Sequence, residues 1–472
     1  MVKLLRLFAV AAALAASAAT TMATADGPPP EALAAAASGL GQKALNDPAA
    51  FDFVRSLTTE IGQRLAGTDA HRRAVKWAEA RLKAAGFDNV HSEPFTLRAW
   101  IRGTESADIV APVPQHLAIT TLGGSVATDA EGIEAEIALF HSYDELLAAA
   151  PGSLTGKIAV VTQRMVRAQD GSGYGAANAI RRAGPSEAAK RGAVAYLLRS
   201  LGTDSHRLPH TGALTYMDNA PRIPAAALAI PDAEQLERLA ALGPVRIKLV
   251  LTPTVADNAP SWNVVGEVRG SERPDEIVLI SGHLDSWDLG TGATDDGAGV
   301  AIAFGAARLI AALPQRPRRT IRLVLFGAEE MDFSGAAYAG AHQAETAGIV
   351  LAAEADFGAR NVYAVQLPPG AAASDFGQWL QRAIAPLGAI LDRRAALGGG
   401  GDDIRDLHKA GVPAISLRQD GMDYFDTHHT ADDTLDKIDP RQLNQAVAVW
   451  SVFTYLAAAS DVDFRSLATP EK

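Results

Sequence analysis

The residues of this chain that could do chemistry are carboxylates and imidazoles, which recur in short segments separated by apolar runs. These segments are Gly282–Asp285, Gly292–Gly299, Gly327–Glu330, Glu354–Asp356 and His428–His429. Such ligands without thiolates are typical of a catalytic zinc site that keeps one position open. The chain has no cysteine, so any zinc must be held by His, Asp and Glu. The residue types therefore indicate metal-assisted hydrolysis.

A pair of metal ions would need one bridging carboxylate and two further ligands for each ion. Two ions about 3.5–4 Å apart can together hold a nucleophilic water and polarise a scissile carbonyl. A carboxylate that does not bind metal can take the water's proton and pass it to the leaving amine. Glu329 and Glu330 are adjacent, so one can bind metal while the other faces the water. Asp285 follows His283 by two residues on an extended strand, where it could hydrogen-bond the imidazole and fix its tautomer.

Buried strands that alternate with helices must position these residues. From Trp262 onward, short and nearly continuous apolar runs predict strands, and helical segments separate most of them. The strands are expected at Ile277–Ile280, Ile321–Phe326, Ile349–Ala352 and Ala414–Leu417, and the helices at Gly297–Leu313, Gly335–Gln343, Ser374–Ala385 and Arg441–Ala457. This alternation predicts an α/β fold with a mainly parallel mixed sheet flanked by helices. In such sheets chemistry collects at the carboxyl ends of the strands, where these segments fall.

Each segment also has an ordinary explanation when it is taken alone. A single His after a strand is more often a surface residue than a ligand, and a Glu-Glu pair is usually solvated. Asp295-Asp296-Gly297 would pass as a turn followed by a helix N-cap. The metal interpretation is favoured because all segments share one edge of one predicted sheet, whereas an unrelated set would scatter over loops and helix faces.

The chain begins with the pattern of a secretory signal peptide. Lys3 and Arg6 precede an apolar run from Leu7 to Ala16, and Ala23-Thr24-Ala25 suits cleavage. The run is too short for a stable membrane anchor. We therefore expect residues 1–25 to be removed near Ala25 and the protein to be periplasmic or secreted.

Composition predicts the remaining divisions of the chain and its partners. The expected parts are a mobile Pro/Ala/Gly-rich linker at 26–46, an N-terminal helical part of the catalytic domain at 47–104 with helices at 47–61 and 69–85, an inserted β-rich cap domain at 105–255, a metal-binding catalytic domain at 256–460 and a C-terminal tail at 461–472. The net charge is −11, and no Lys/Arg cluster forms a basic stripe, so nucleic acid is not an expected partner.

The motifs resemble those of the dizinc exopeptidases related to bacterial leucyl aminopeptidase. The likeness is carried by segments 282–288, 294–299, 328–330 and 429–434. It extends to Pro209–Gly212 with Tyr216, Ile223-Pro224, Gly411–Pro413 and Asp439-Pro440, which resemble the carboxypeptidase Q-like branch of that family. The resemblance covers most of the mature chain and implies a zinc exopeptidase fold with an inserted domain of the protease-associated type.

The resemblance implies a role for each site residue. Asp295 would bridge two Zn²⁺ ions, His283 and Asp356 would complete one site, Glu330 and His429 would complete the other, and Glu329 would be the general base with Asp285 beside it. His429 is preferred to His428 because it stands four residues before Asp433, as the family's ligand does. Asp403 matches a loop near the substrate, with a plain turn as the alternative. His210 is expected on a lid from the inserted domain, with a surface loop as the alternative.

The resemblance also implies hydrolysis of unblocked dipeptides or short peptides and a homodimer. An aminopeptidase acting on longer peptides is the alternative within the same class. Two alternatives come from other classes: a single-zinc acyl transferase of the glutaminyl cyclase type, and a non-catalytic binding protein such as the transferrin receptor ectodomain. The complete set of candidate ligands argues against both. Spacing does not decide the side-chain preference, and His and carboxylate ligands also bind other divalent ions.

Overall fold

The computed structural model of the chain describes residues 31–331, 333–393 and 400–468. The expected signal peptide at 1–25 lies outside these residues. The described strands form two sheets of eight strands each. In chain order they are β1 (Asp88–Ile101), β2 (Glu105–Ala111), β3 (Gln115–Leu117), β4 (Ile119–Thr121), β5 (Ile133–Phe140), β6 (Ile158–Val161), β7 (Ala195–Arg199), β8 (Ala225–Leu228), β9 (Arg246–Leu251), β10 (Thr254–Val268), β11 (Arg273–His283), β12 (Arg319–Phe326), β13 (Ile349–Glu354), β14 (Val362–Gln366), β15 (Ile390–Asp392) and β16 (Ala414–Gln419).

The described helices are distributed over both sheets. They are α1 (Glu31–Ala44), α2 (Ala49–Glu60), α3 (Asp69–Ala84), α4 (Tyr143–Ala148), α5 (Ser172–Ala177), α6 (Ala179–Arg182), α7 (Gly184–Lys190), α8 (Ile230–Ala240), α9 (Ala298–Ala311), α10 (Ser334–Ala341), α11 (Pro369–Ala373), α12 (Asp375–Ile384), α13 (Arg405–Lys409), α14 (Tyr424–Thr427), α15 (Pro440–Ala459) and α16 (Phe464–Ala468). Short turns of other helix types lie at Ala293–Gly297, Ala385–Leu387 and Leu435–Lys437. Within the described ranges, none of the helices combines the length and apolar content needed to cross a bilayer.

The first sheet confirms the predicted α/β class. Its strand order is β1-β10-β12-β11-β13-β16-β14-β15. The four central strands β12, β11, β13 and β16 run parallel. The flanking pairs are antiparallel, so the sheet is mixed. The central strands are buried along almost their whole length because helices cover both faces, and this double burial explains their continuous apolar sequences.

The helix that follows the Asp295 turn fixes that turn against the sheet. Helix α9 is buried on nearly all sides, between the sheet and helices α2 and α15. Gly305 allows the close approach, because a Cβ atom there would lie 3.1 Å from Val447 and 3.4 Å from Ala50. The start of α9 therefore has a fixed position relative to the carboxyl ends of the central strands.

The second sheet is built from residues between β1 and β10. Its strand order is β3-β2-β9-β5-β6-β7-β8-β4. Ile101 pairs with Thr254 in the first sheet and Glu105 pairs with Leu251 in the second, so the chain leaves and returns at one place. The sheet has four parallel strands, β5 to β8, and carries helices α4 to α8. The segment expected to be β-rich thus has substantial helix, while the boundaries 105–255 stay a prediction. We call residues 102–253 the cap region.

The structure corrects the expected linker. Residues 31–44 form helix α1, whose Ala37, Leu40 and Ala44 are buried in the core shared with α9 and α15. The expected tail also contains structure, since Phe464 of α16 is buried and packs edge-on against Phe376 at 4.9 Å between ring centroids. Both ends of the described chain therefore belong to the packed body of the first sheet.

Candidate active site

The carboxyl ends of three parallel strands bring the predicted residues together. His283 is the last residue of β11, Glu329 and Glu330 follow β12, and Asp356 follows β13. Asp295 lies in the turn before α9, and His429 follows α14 with a left-handed φ of 60°. All of them are buried except Glu329 and Asp356, which are partly exposed.

Asp295 stands between two histidines. Its Oδ1 is 3.1 Å from Nε2 of His283, and its Oδ2 is 3.1 Å from Nε2 of His429. The two oxygens of one carboxylate thus face two different imidazoles. This is the arrangement that a carboxylate bridging two metal ions requires.

Each histidine also faces a second carboxylate. Nε2 of His283 lies 3.6 Å from Oδ1 of Asp356, and Nε2 of His429 lies 3.2 Å from Oε2 of Glu330. Glu329 stands further away, with its Oε2 4.0 Å from Nε2 of His283. Two groups of three candidate ligands therefore share Asp295, and Glu329 is beside them.

The donor set fits metal cations. Within the described chain, Oδ2 of Asp295 and Oε1 of Glu330 are buried without a hydrogen-bond partner. A buried carboxylate oxygen without a partner is costly unless a cation compensates it. Three groups of His, Asp and Glu ligand atoms lie close enough to hold an ion, and His283, Asp295, Glu330, Asp356 and His429 all belong to at least one of them.

Burial and mutual charge shift the titration of these groups. Burial raises the pKa of Glu329 well above its usual range and that of Glu330 to about 7. Burial lowers the pKa of His429, but Glu330 and Asp295 outweigh it and raise it to about 9. The side chains of Glu329 and Glu330 thus resist ionisation until a cation is near. A bound metal ion would favour the ionised forms.

Two further aspartates hold the Asp295 turn in place. Asp433 accepts hydrogen bonds from the backbone N–H groups of Ala293, Thr294 and Asp295, at 3.1, 2.7 and 3.1 Å. Asp296 accepts from the backbone N–H of His283 at 2.9 Å. Sequence reasoning used Asp433 only to choose between two histidines and gave Asp296 no role. The signal that could have identified Asp433 is its position four residues after His429.

Asp285 lies beside His283, as the strand spacing predicts. Nδ1 of His283 is 3.1 Å from the backbone oxygen of Asp285 and 3.4 Å from its Oδ1. The same Oδ1 accepts a hydrogen bond from the backbone N–H of Glu329 at 3.0 Å. Asp285 thus connects the imidazole that faces Asp295 to the backbone of the neighbouring Glu329.

Both histidines of the His428–His429 pair are near Asp295. Their rings stack with centroids 3.5 Å apart, and Nε2 of His428 is 3.6 Å from Oδ2 of Asp295. Burial, and then the neighbouring His429, lower the pKa of His428 well below its usual range. His429 is the one that lies against Glu330, so the geometry supports the preference for His429.

The cap region completes the site. Thr211 contacts His429 twice through its backbone, since its N–H donates to the His429 oxygen at 2.9 Å and its oxygen lies 3.2 Å from Nδ1. A cavity of about 200 Å³ lies between the cap region and the candidate ligands. Its lining from the cap region consists of Tyr174, Asn178, Arg181, Arg182 and Ala213.

Two residues expected to touch substrate are not in the lining of this cavity. His210 is only 2% exposed, with Nε2 3.2 Å from Oδ1 of Asp204. Asp403 is buried and accepts a hydrogen bond from Ser334 Oγ at 2.7 Å, and burial raises its pKa to about 8. The neighbouring Asp402 lines the cavity instead. Neither side chain occupies the substrate-facing position that the sequence predicted.

Comparison with known proteins identifies related peptidases. Residues 263–454 match the model of Peptidase family M28. The chain is 38% identical to carboxypeptidase Q of Bos taurus over 86% of this chain and 85% of that protein. Its structure is similar to that of a peptidase M28 precursor from Shewanella amazonensis, with a TM-score of 0.89, 45% identity, and coverage of 92% of this chain and 98% of that one. A zinc aminopeptidase from Bacillus subtilis shares the fold, with a TM-score of 0.63, 18% identity, and coverage of 88% and 95%.

Proposed function

This chain belongs to peptidase family M28, in its carboxypeptidase Q-like branch, and is a metallopeptidase, and from this premise we propose that it is a secreted dizinc exopeptidase. Its proposed substrates are unblocked dipeptides or short peptides. Its proposed ligands are His283, Asp295 and Asp356 for one Zn²⁺, with Asp295, Glu330 and His429 for the other. The observation that carries the proposal is Asp295, whose two oxygens face two histidines at 3.1 Å each.

Glu329 is the proposed general base. Zinc ions bound to this set would polarise the scissile carbonyl and acidify a water. Glu329 stands beside the ligands without facing both histidines, and its backbone is fixed by Asp285. A carboxylate in that place can take a proton from the attacking water and return it to the leaving amine. Its raised pKa suits the second of these steps.

The cavity volume supports small substrates. About 200 Å³ is below the roughly 300–1,000 Å³ of pockets that hold drug-sized ligands. An adjoining cavity of about 370 Å³ shares Asp356, Phe357 and Asp402 with it. This extra space favours a second candidate, an aminopeptidase that acts on longer peptides.

Replacing Glu329 tests the mechanism. We expect Glu329→Gln to keep two zinc ions per chain and the melting temperature of the wild type, while kcat on a dipeptide falls roughly 10²–10⁴-fold. Glu272→Gln, at an exposed position just before β11, is the matched control and keeps wild-type turnover. Wild-type kcat in Glu329→Gln would rule out this general base, and one tightly bound zinc per chain would favour the acyl-transfer alternative.

Peptide length separates the two candidate specificities. A dipeptide and the same sequence extended at its C-terminus are compared as substrates of the zinc-loaded protein. We expect the dipeptide to have the higher kcat/KM. A preference for the extended peptide would support the aminopeptidase.

The proposals on the location and assembly of the protein rest on the signal-peptide pattern and on the resemblance to the family. We propose cleavage near Ala25, export to the periplasm or beyond, and a homodimer. The mass of the exported chain and sedimentation of the zinc-loaded protein test these points. A full-length intracellular chain would contradict export, and a monomer at micromolar concentration would contradict the dimer.

A further inference from the structure

One buried cation lines the cavity on the side of the cap region. Arg181 of α6 is 3% exposed. Among the described residues, its Nε and Nη1 have no hydrogen-bond partner. A guanidinium carries five N–H donors and stays charged at any ordinary pH. Burying an incompletely paired guanidinium is costly. The free N–H groups of Arg181 therefore need an acceptor, and the cavity has room to admit one.

The residues packed around Arg181 restrict the position of its guanidinium. Its central carbon lies 5.3 Å from the centre of the Tyr174 ring, which itself stacks on Phe425. On another side lies Gly212, where a Cβ atom would come within 2.1 Å of Nη1. The left-handed φ of Gly212, at 137°, also favours glycine there. Arg181 is therefore presented in a fixed orientation and does not act as a mobile surface charge.

An anion would supply the acceptors that Arg181 lacks. The carboxylates of the opposite wall, Asp295, Glu330 and Asp356, are the proposed metal ligands. Arg182 adds a second guanidinium to the wall formed by the cap region, next to Asn178. The cavity thus has a cationic wall opposite a metal-binding wall. Arginine pairs with carboxylates through parallel N–H···O bonds, so a substrate carboxylate matches this wall.

We propose that Arg181 binds the C-terminal carboxylate of the substrate and thereby selects dipeptides. This inference rests on the proposed function, because the scissile carbonyl must lie at the metal ligands. One residue of extended chain spans only about 3.5 Å. In a cavity of about 200 Å³, the carboxylate that lies one residue beyond the scissile bond is that of a dipeptide. A longer peptide would bring an uncharged amide to Arg181 instead.

The test compares a dipeptide with its C-terminal amide on the zinc-loaded protein. We expect the wild type to cleave the free acid with a kcat/KM roughly 10- to 100-fold above that of the amide, mainly through KM. Arg181→Met lowers kcat/KM for the free acid by about the same factor and leaves the amide nearly unchanged. Arg181→Lys retains the charge without the planar fork and falls between the two. Arg246→Met, which removes an exposed arginine of the cap region, is the matched control.

The outcomes separate this inference from the proposed function. Equal kcat/KM values for acid and amide in the wild type would overturn the role of Arg181, whatever the variants do. An equal fall on both substrates in Arg181→Met would show a structural role and overturn it too. Failure of the wild type to cleave either compound would contradict the proposed function instead. The inhibition constant of a product amino acid, raised in Arg181→Met and Arg181→Lys but not in Arg246→Met, gives a second readout that does not depend on the kcat of each variant.

Discussion

The two walls of the cavity have opposite chemistry and different origins. The wall on the first sheet consists of carboxylates and imidazoles at strand ends, with Asp295 between His283 and His429. The wall from the cap region presents arginine, asparagine and tyrosine from short helices, and Arg181 is its most buried cation. One wall suits metal ions and the other suits an anion. On the two proposals made above, binding of metal and choice of substrate are divided between two regions of the molecule.

The two walls also differ in how they are held. On the first sheet, Asp433 and Asp296 bind the backbone at Asp295 and His283, so that wall carries its own hydrogen-bonded support. On the cap side, Arg181 rests against Tyr174 and Gly212 without a paired carboxylate in the described chain. The hydrogen bonds that support the metal-binding wall are therefore formed before substrate arrives. The guanidinium of the opposite wall gains its acceptor only from the substrate.

Removing the support of the Asp295 turn tests this difference with the largest expected effect. Asp433→Ala deprives the backbone N–H groups at 293–295 of their acceptor. Because loss of such supporting groups typically weakens metal sites about 10- to 100-fold, we expect a zinc affinity lower by that factor. Titration with a competing chelator measures it.

The adjacent Asp432 provides the matched control. It is half-exposed and pairs with Lys437 at 3.0 Å, so Asp432→Ala should leave zinc affinity unchanged. Equal affinity in Asp433→Ala and the wild type would show that the turn holds its shape without this carboxylate. The contrast between a self-supported wall and an unsupported one would then be wrong.

The sequence predicted the metal-binding wall more completely than the opposite one, for a physical reason. Strands β11 and β12 are buried on both faces, so their apolar runs are continuous and the polar residues that follow mark their ends. Strand β1 is exposed along much of its length, and β15 has only three residues, so neither leaves such a pattern. The alanine and glycine content of α1 predicts a linker, although its buried face packs on α15.

Side chains whose role depends on tertiary burial escaped sequence reasoning. Arg181 is one of many arginines, and nothing in its neighbours along the chain indicates that it is buried. Asp402 and Asp403 are adjacent acids, and the direction of the loop decides that Asp402 faces the cavity. His210 belongs to the Pro209–Gly212 motif, but its ring faces Asp204. In each case the missing information is the packing of a loop or short helix, which local sequence does not encode.

The pH dependence of stability extends the comparison, because we expect the body of the first sheet to lose stability strongly in acid. His71 of α3 is fully buried, with Nε2 2.9 Å from Ser261 Oγ, and burial lowers its pKa from 6.5 to about 4. The unfolded chain therefore binds a proton below about pH 6.5 that the folded chain refuses until about pH 4, so stability is lost as pH falls through this window. Between pH 7.5 and 5 this loss amounts to about 2 kcal/mol.

Urea unfolding of the zinc-loaded protein at those two pH values measures this loss. His71→Gln keeps a polar partner for Ser261 and should reduce the pH-dependent loss by about 2 kcal/mol. His116→Gln, at an exposed position of the cap region, should leave the loss unchanged. An identical pH dependence in His71→Gln and the wild type would assign the acid sensitivity to other groups.

The smallest expected effect on zinc binding concerns the contact between the two walls. Gly123 of the cap region lies against Trp287, where an added Cβ atom would stand 2.0 Å from Cη2, and the Trp287 ring lies 5.6 Å from that of His429. We expect Gly123→Ala to displace the indole, to cost about 1–3 kcal/mol of stability through overpacking, and to weaken zinc binding only several-fold, since Thr211 still holds His429. Gly175→Ala, with open space around its Cβ position, is the control and should change neither quantity. Calorimetry and chelator competition decide the matter: a loss of stability with unchanged zinc affinity would mean that the cap region touches the metal-binding wall without influencing it.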